Sequence, residues 1–240
     1  LCLFLILFTN DASAPSNQAS KPNADSSNQT DTQAGTFDKT KYSLTDPSSL
    51  WVIASKVRPL NSTYAPTDLV TPDVLLRSSS SSSSRLRQEP AKALEDMVNA
   101  AKLEGINLGL TSGYRSYQYQ ISVYNGYVQQ YGQAGADKVS ARPGTSEHQT
   151  GLALDLEPSS GQCSLEICFA DLPEGQWLVA NSYKYGFVLR YPEGKYSVTG
   201  YEFEPWHFRY VGKELSQELR KTGTQTLEEF FNIVPDKQPY

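Results

Sequence analysis

Histidine is scarce in this chain. There are two, His148 and His207, alongside three cysteines. Cys163 and Cys168 have no second cysteine pair to join them, which excludes a four-sulfur metal site. No Gly-x-Ser-x-Gly turn occurs, so the strained serine elbow of many hydrolases is missing too. Basic charge is short: the formal net charge is −5, and no basic stripe interleaved with aromatics suggests a nucleic-acid partner. The apolar run at 1–8 is too short to span a bilayer, which takes about 20 residues. Large apolar side chains almost vanish between 16 and 41, a composition that cannot offset the entropy of ordering.

Each shortage leaves something behind it. The run at 1–8 has the length of a secretory h-region, and Ala12-Ser13-Ala14 has the small-x-small form of a cleavage site, although Pro15 argues against cleavage there. No Met or basic flank precedes the run, so 1–14 reads as a truncated signal peptide or membrane anchor. Either implies export, with the chain extracytoplasmic in the cell envelope, secreted or anchored through this segment. A buried element of the fold is the alternative, and the disorder-type sequence that follows argues against it. Residues 15–45 read as a disordered linker and 46–235 as one domain, long enough for a full core.

Within that domain, Ser49-Leu50-Trp51-Val52-Ile53 reads as a short strand, and the seven serines at 78–84 as a mobile surface loop without chemistry. Pro90 suits a first helical turn; Leu94, Met97, Val98 and Ala101 recur at helical spacing, and Gly105 ends that helix. Leu108 and Leu110 alternate into Thr111-Ser112-Gly113-Tyr114-Arg115-Ser116, after which a helix runs over 117–131 and stops at Gly132. Cys163 and Cys168, with four residues between them, suit a small disulfide loop in an exported protein; the alternative is two reduced thiols.

The chemistry concentrates in two short segments. In Gly151-Leu152-Ala153-Leu154-Asp155-Leu156 the leucines share one face, and Asp155 falls on the other. A buried lone carboxylate is costly, so Asp155 needs partners. His148 lies just upstream, and His207 some fifty residues on in Glu204-Pro205-Trp206-His207. Two imidazoles and a carboxylate, with a spare Glu204 as base, are the inventory of a catalytic zinc site with one open position. A structural zinc holding all four residues, or two core histidines without metal, are the blander readings. The lack of cysteine in that residue set disfavours the first. His148's polar neighbours Glu147, Gln149 and Thr150 disfavour the second.

Three segments in order, SGYRSYQYQ, SARPGTSEHQTGLALD and EPWHFRYVG, resemble the VanY-type D-alanyl-D-alanine carboxypeptidases and the LdcB-like L,D-carboxypeptidases of the LAS (M15B) group. That resemblance implies an α+β fold in which a small, mainly antiparallel sheet bears the zinc site, flanked by helices. It implies one catalytic Zn2+ on His148, Asp155 and His207, with Glu204 as general base. Arg115 would bind substrate and steady the oxyanion, and Gln120 and Ser146 would help hold the peptide end. The expected partners are peptidoglycan stem peptides, with no nucleic acid, and the chain is read as a monomer. The expected reaction removes a C-terminal D-alanine. An L,D-carboxypeptidase of tetrapeptide stems, a cross-link endopeptidase and an inactive wall-binding module are the alternatives.

Overall fold

Alternating leucines, helix-starting residues and glycine stops organise the chain into one four-stranded sheet with helices against it. The structure, a computed structural model, describes residues 36–78 and 81–233. A two-stranded ribbon of β1 (Leu69–Val70) and β2 (Leu86–Arg87) precedes α1 (Gln88–Leu103), with Pro90 in its first turn and Leu94, Met97 and Ala101 buried. Gly105, at φ 81°, then turns the chain toward β3 (Leu108–Ser112). Next comes α2 (Tyr117–Val139), capped where the Ser116 hydroxyl accepts from the Tyr119 N–H. A 3-10 turn (Glu147–Thr150) and left-handed Gly151 lead into β4 (Ala153–Pro158). The rest is α3 (Pro173–Asn181), β5 (Phe187–Leu189), α4 (Tyr196–Thr199), β6 (His207–Tyr210), α5 (Lys213–Thr222) and α6 (Leu227–Phe230).

The sheet runs β3-β4-β6-β5 and is antiparallel throughout, in a mixed α/β fold with helices flanking it. Leu152, Leu154 and Leu156 are buried with Leu94, Met97 and Phe208 in the main core, so the sheet's apolar face is turned to the helices. A second cluster gathers Trp51, Val211, Leu215, Leu219 and Phe230. Phe37 stacks on Trp51 at 5.5 Å between ring centroids, and Leu44 packs beside it. The described end of the expected linker, 36–45, is thus tied to the body at those residues. The rest of that linker, 15–35, and the signal-or-anchor segment 1–14 lie outside the described residues. Among the described residues no helix is long and apolar enough to cross a membrane.

Two local expectations differ. Residues 49–53 form turns, not a strand: the Val52 N–H donates to the Ser49 carbonyl, and Trp51 through Ala54 are all buried. Their β-type side chains fit this segment for burial without a pairing partner, which is much of what strand propensity measures. The serine run is not wholly a surface loop, since Ser83 and Ser84 are each 4% exposed. The carbonyls of Ser83 and Arg85 accept from the N–H groups of Gly113 and Tyr114, and small side chains permit that close approach. The stop expected at Gly132 holds: at φ 69° and ψ 170° it is non-helical, and the span 117–139 joins two helices across it. Buried Asp137 in the later helix accepts from Tyr124 Oη at 2.7 Å, tying it to the earlier one, and takes a two-point contact from Arg142.

Gly113 faces the Arg85 carbonyl so closely that an added Cβ would collide with backbone. Gly113→Ala is therefore expected to destabilise the domain by about 1–3 kcal/mol, lowering the melting temperature by roughly 2–4 °C per kcal/mol. An unchanged melting temperature in calorimetry would contradict this packing.

Candidate active site

The sheet register does most of the assembly. Asp155 on β4 is directly opposite His207 on β6, and on its other side it pairs with Ser112 across an irregularity in β3. Because alternate side chains share a face, this pairing puts both functional groups on the side opposite the leucines. His148 arrives from the 3-10 turn ahead of β4. Its Nδ1 donates to the Gly113 carbonyl at 2.6 Å, leaving the Nε2 lone pair pointed inward. That Nε2 lies 3.3 Å from Asp155 Oδ2 and accepts from Arg115 Nη2 at 2.8 Å. His207 Nδ1 lies 3.1 Å from Asp155 Oδ1 and 3.5 Å from Glu204 Oε2. Pro205 keeps Glu204 extended, its N–H donating to the Tyr191 carbonyl while its own carbonyl accepts from the His207 N–H.

His148, Asp155 and His207 each offer one ligand atom, and those atoms all lie within 4.8 Å of one another. Among the described residues, His207 Nε2 is buried without a hydrogen-bond partner, and buried Asp155 Oδ1 accepts no well-aligned hydrogen bond, its neighbour being the His207 Nδ1 edge at 3.1 Å. An unmatched buried carboxylate oxygen costs about 1–3 kcal/mol or more, and a divalent cation satisfies it. Two imidazoles and one carboxylate oxygen suit zinc and leave room for a fourth ligand. The donor set therefore fits the ion that the sequence leads one to expect.

The charges follow from burial and neighbours. Burial, with help from Arg115, lowers His148 to about 4, so it is neutral with its proton on Nδ1. Burial acts the same way on His207, but the carboxylates of Asp155 and Glu147, then Glu204, outweigh it and lift His207 to about 9. Burial would raise Asp155, yet His148, His207 and Arg115 hold it well below the usual carboxylate range. Burial pushes Glu204 up to about 7 against the attraction of His207.

A cavity of about 580 Å³ opens over this cluster, lined by Arg115, Ser146, His148, Asp155, Glu204 and His207. Ser146 thus reaches the cavity wall, whereas Gln120 is buried behind it. Gln120 Nε2 donates to the Ala141 carbonyl at 2.8 Å, and its Oε1 accepts from Arg115 Nη1 at 3.4 Å. Gln120 braces the arginine instead of lining the cavity. Arg115 also donates through Nε to Ser112 Oγ and through Nη2 to Asp155 Oδ2. Cys163 and Cys168 are joined in a disulfide with Cα atoms 5.6 Å apart, and their loop puts Leu165 and Ile167 on the cavity rim.

Sequence reasoning overlooked Glu147. It treats the neighbours of His148 as no core setting, but Glu147, Gln149 and Thr150 are all buried at 1% exposure or less. Glu147 Oε1 accepts from Arg190 Nε at 2.8 Å and Arg209 Nη1 at 2.9 Å. The signal was available: arginines at 190 and 209 inside strand-like apolar stretches need a buried anion.

The family model for VanY, D-alanyl-D-alanine carboxypeptidase, matches residues 83–213. YodJ, a candidate carboxypeptidase of Bacillus subtilis, is 41% identical over 192 residues, which cover 80% of this chain and 70% of that protein. The solved LdcB LD-carboxypeptidase superposes with a TM-score of 0.73 at 41% identity, covering 78% of this chain and 88% of that one. A mutant of the vancomycin resistance D,D-pentapeptidase VanY, solved with Zn(II), gives a TM-score of 0.64 at 31% identity, covering 78% of this chain and all of that one (100%).

A metal bound at His207 Nδ1 would displace a proton that the imidazolium holds up to about pH 9. Zinc affinity of chelator-stripped protein is therefore expected to rise about tenfold per pH unit below that value and to level off above it. Competition titrations with a chelator across pH 6 to 10 measure this; a flat profile below pH 8 would contradict it.

Proposed function

The chain belongs to the VanY D-alanyl-D-alanine carboxypeptidase family of the M15B group, and from that membership we propose that it is a zinc carboxypeptidase removing the C-terminal D-alanine of peptidoglycan stem peptides. The observation that carries this reading is the convergence of His148, Asp155 and His207 within 4.8 Å, with the Glu204 carboxylate 3.5 Å from His207. In this reading those three residues hold one zinc ion. Zinc bound there supplies Lewis-acid polarisation of the scissile carbonyl and acidifies the attacking water.

The chain's own groups do the rest. Glu204 is the base: its carboxylate takes the proton from water and returns it to the leaving amine. Partial burial raises this carboxyl's proton affinity, which suits a group that must both accept and give a proton. Arg115 projects its guanidinium into the cavity beside the triad, where its fork can grip the substrate carboxylate or steady the developing oxyanion. Ser146 on the cavity wall adds a hydroxyl for the peptide end, and Gln120 acts indirectly by holding Arg115. A wall-binding module without catalysis would have no use for a half-buried base set beside a ligand triad.

The substrate implies work outside the cytoplasm, and the apolar run at 1–8 supports export, by release or by anchoring. The LdcB likeness supports a second specificity, L,D-cleavage of tetrapeptide stems. Mass spectrometry of defined pentapeptide and tetrapeptide muropeptides after incubation separates the two; the proposal expects loss of D-alanine from the pentapeptide. Glu204→Gln is expected to lower kcat by roughly a hundred- to ten-thousand-fold while zinc content stays unchanged. Full turnover by that variant would remove Glu204 from the base role.

A further inference from the structure

Two orphaned atoms face each other behind the candidate ligands. His207 Nε2 and Glu147 Oε2 are both buried without a hydrogen-bond partner among the described residues, and they lie 4.0 Å apart. That separation is too long for a hydrogen bond, but closing it by about 1 Å makes one. The opposite edge of the same ring, Nδ1, is turned to Asp155 and Glu204. A neutral imidazole that uses Nδ1 as a ligand carries its one proton on Nε2, which points at Glu147.

Glu147 is itself held from behind. Its Oε1 takes Arg190 and Arg209, and Arg209 Nη2 also donates to the Val52 carbonyl at 2.7 Å. Arg190 is fixed in turn by a fork onto Glu228, at 2.9 and 2.6 Å. Glu228 belongs to α6, whose first turn is capped where Thr226 Oγ1 accepts from the Glu229 N–H. All four charged side chains of this cluster are buried. Paired with one another, they form a fixed electrostatic frame in which removing one member leaves another charge stranded.

We propose that Glu147 is a positioning residue for the metal: it accepts the Nε2 proton of His207, fixes that ring's tautomer and angle, and is itself held through Arg190 by Glu228 near the C-terminus. This rests on the reading of His148, Asp155 and His207 as ligands. Partners of this kind behind ligating histidines orient the ring and raise its basicity. Glu147 touches neither substrate nor the reacting atoms, so its effect should appear in metal retention.

Two measurements on the zinc-loaded protein test the proposal. In imidazole-resolved nitrogen NMR of the unaltered holoenzyme, His207 is expected to bind through Nδ1, with an Nε2–H protected from solvent exchange. Ligation through Nε2, or an Nε2–H in free exchange, would overturn the proposal. Chelator competition should show zinc dissociation constants weakened about 10- to 100-fold in Glu147→Ala, with partial rescue in Glu147→Gln and a smaller loss in Glu228→Gln. A folded Glu147→Ala variant with unchanged zinc affinity would overturn it equally. Should that variant not fold, the NMR result alone decides. Absence of zinc binding by the unaltered protein would instead sink the ligand reading beneath it.

Discussion

An aspartate carried ionised into the middle of a sheet is the constraint to which the surrounding structure answers. Asp155 is 2% exposed on β4, and a carboxylate there is tolerable only if positive or polar groups surround it. His207 reaches it by strand register, His148 by a tight turn closed at Gly151, and Arg115 from the loop just ahead of α2. The same carboxylate collects the residues of the proposed chemistry, because each group that offsets its burial is a proposed ligand or substrate contact. Stability and function therefore share atoms here.

The rest of the body keeps those approaches in place. The leucine face of β4 packs into the main core, which prevents a register slip; a slip of one residue would turn Asp155 to the wrong side. Gly113 admits the serine segment against the exit of β3 and presents the carbonyl that orients His148. Gln120 and Ser112 hold the arginine, and the Ala141 carbonyl holds Gln120. Beneath β6, the cluster of Glu147, Arg190, Arg209 and Glu228 joins the sheet to α6 through buried charge.

Much of this was legible in the chain itself. The leucine alternation identifies β4 and the face of Asp155, and Pro205 predicts the extended backbone at Glu204. With two histidines in the chain, few other ligand sets were open. What escaped reading depends on long-range geometry. Trp51 and its neighbours look like a strand because bulky β-type residues also serve burial without pairing. Ser83 and Ser84 look like loop because nothing local shows that the backbone at Gly113 would come to meet them. Glu147 looks like surface because its two arginines lie 43 and 62 residues away.

The central claim is a divalent ion shared by His148, Asp155 and His207, and X-ray absorption at the zinc edge of the loaded protein tests it most directly. The account predicts scattering from two imidazole rings with nitrogen and oxygen donors at about 2.0–2.2 Å. A sulfur shell near about 2.3 Å, or fewer than two imidazoles, would contradict it.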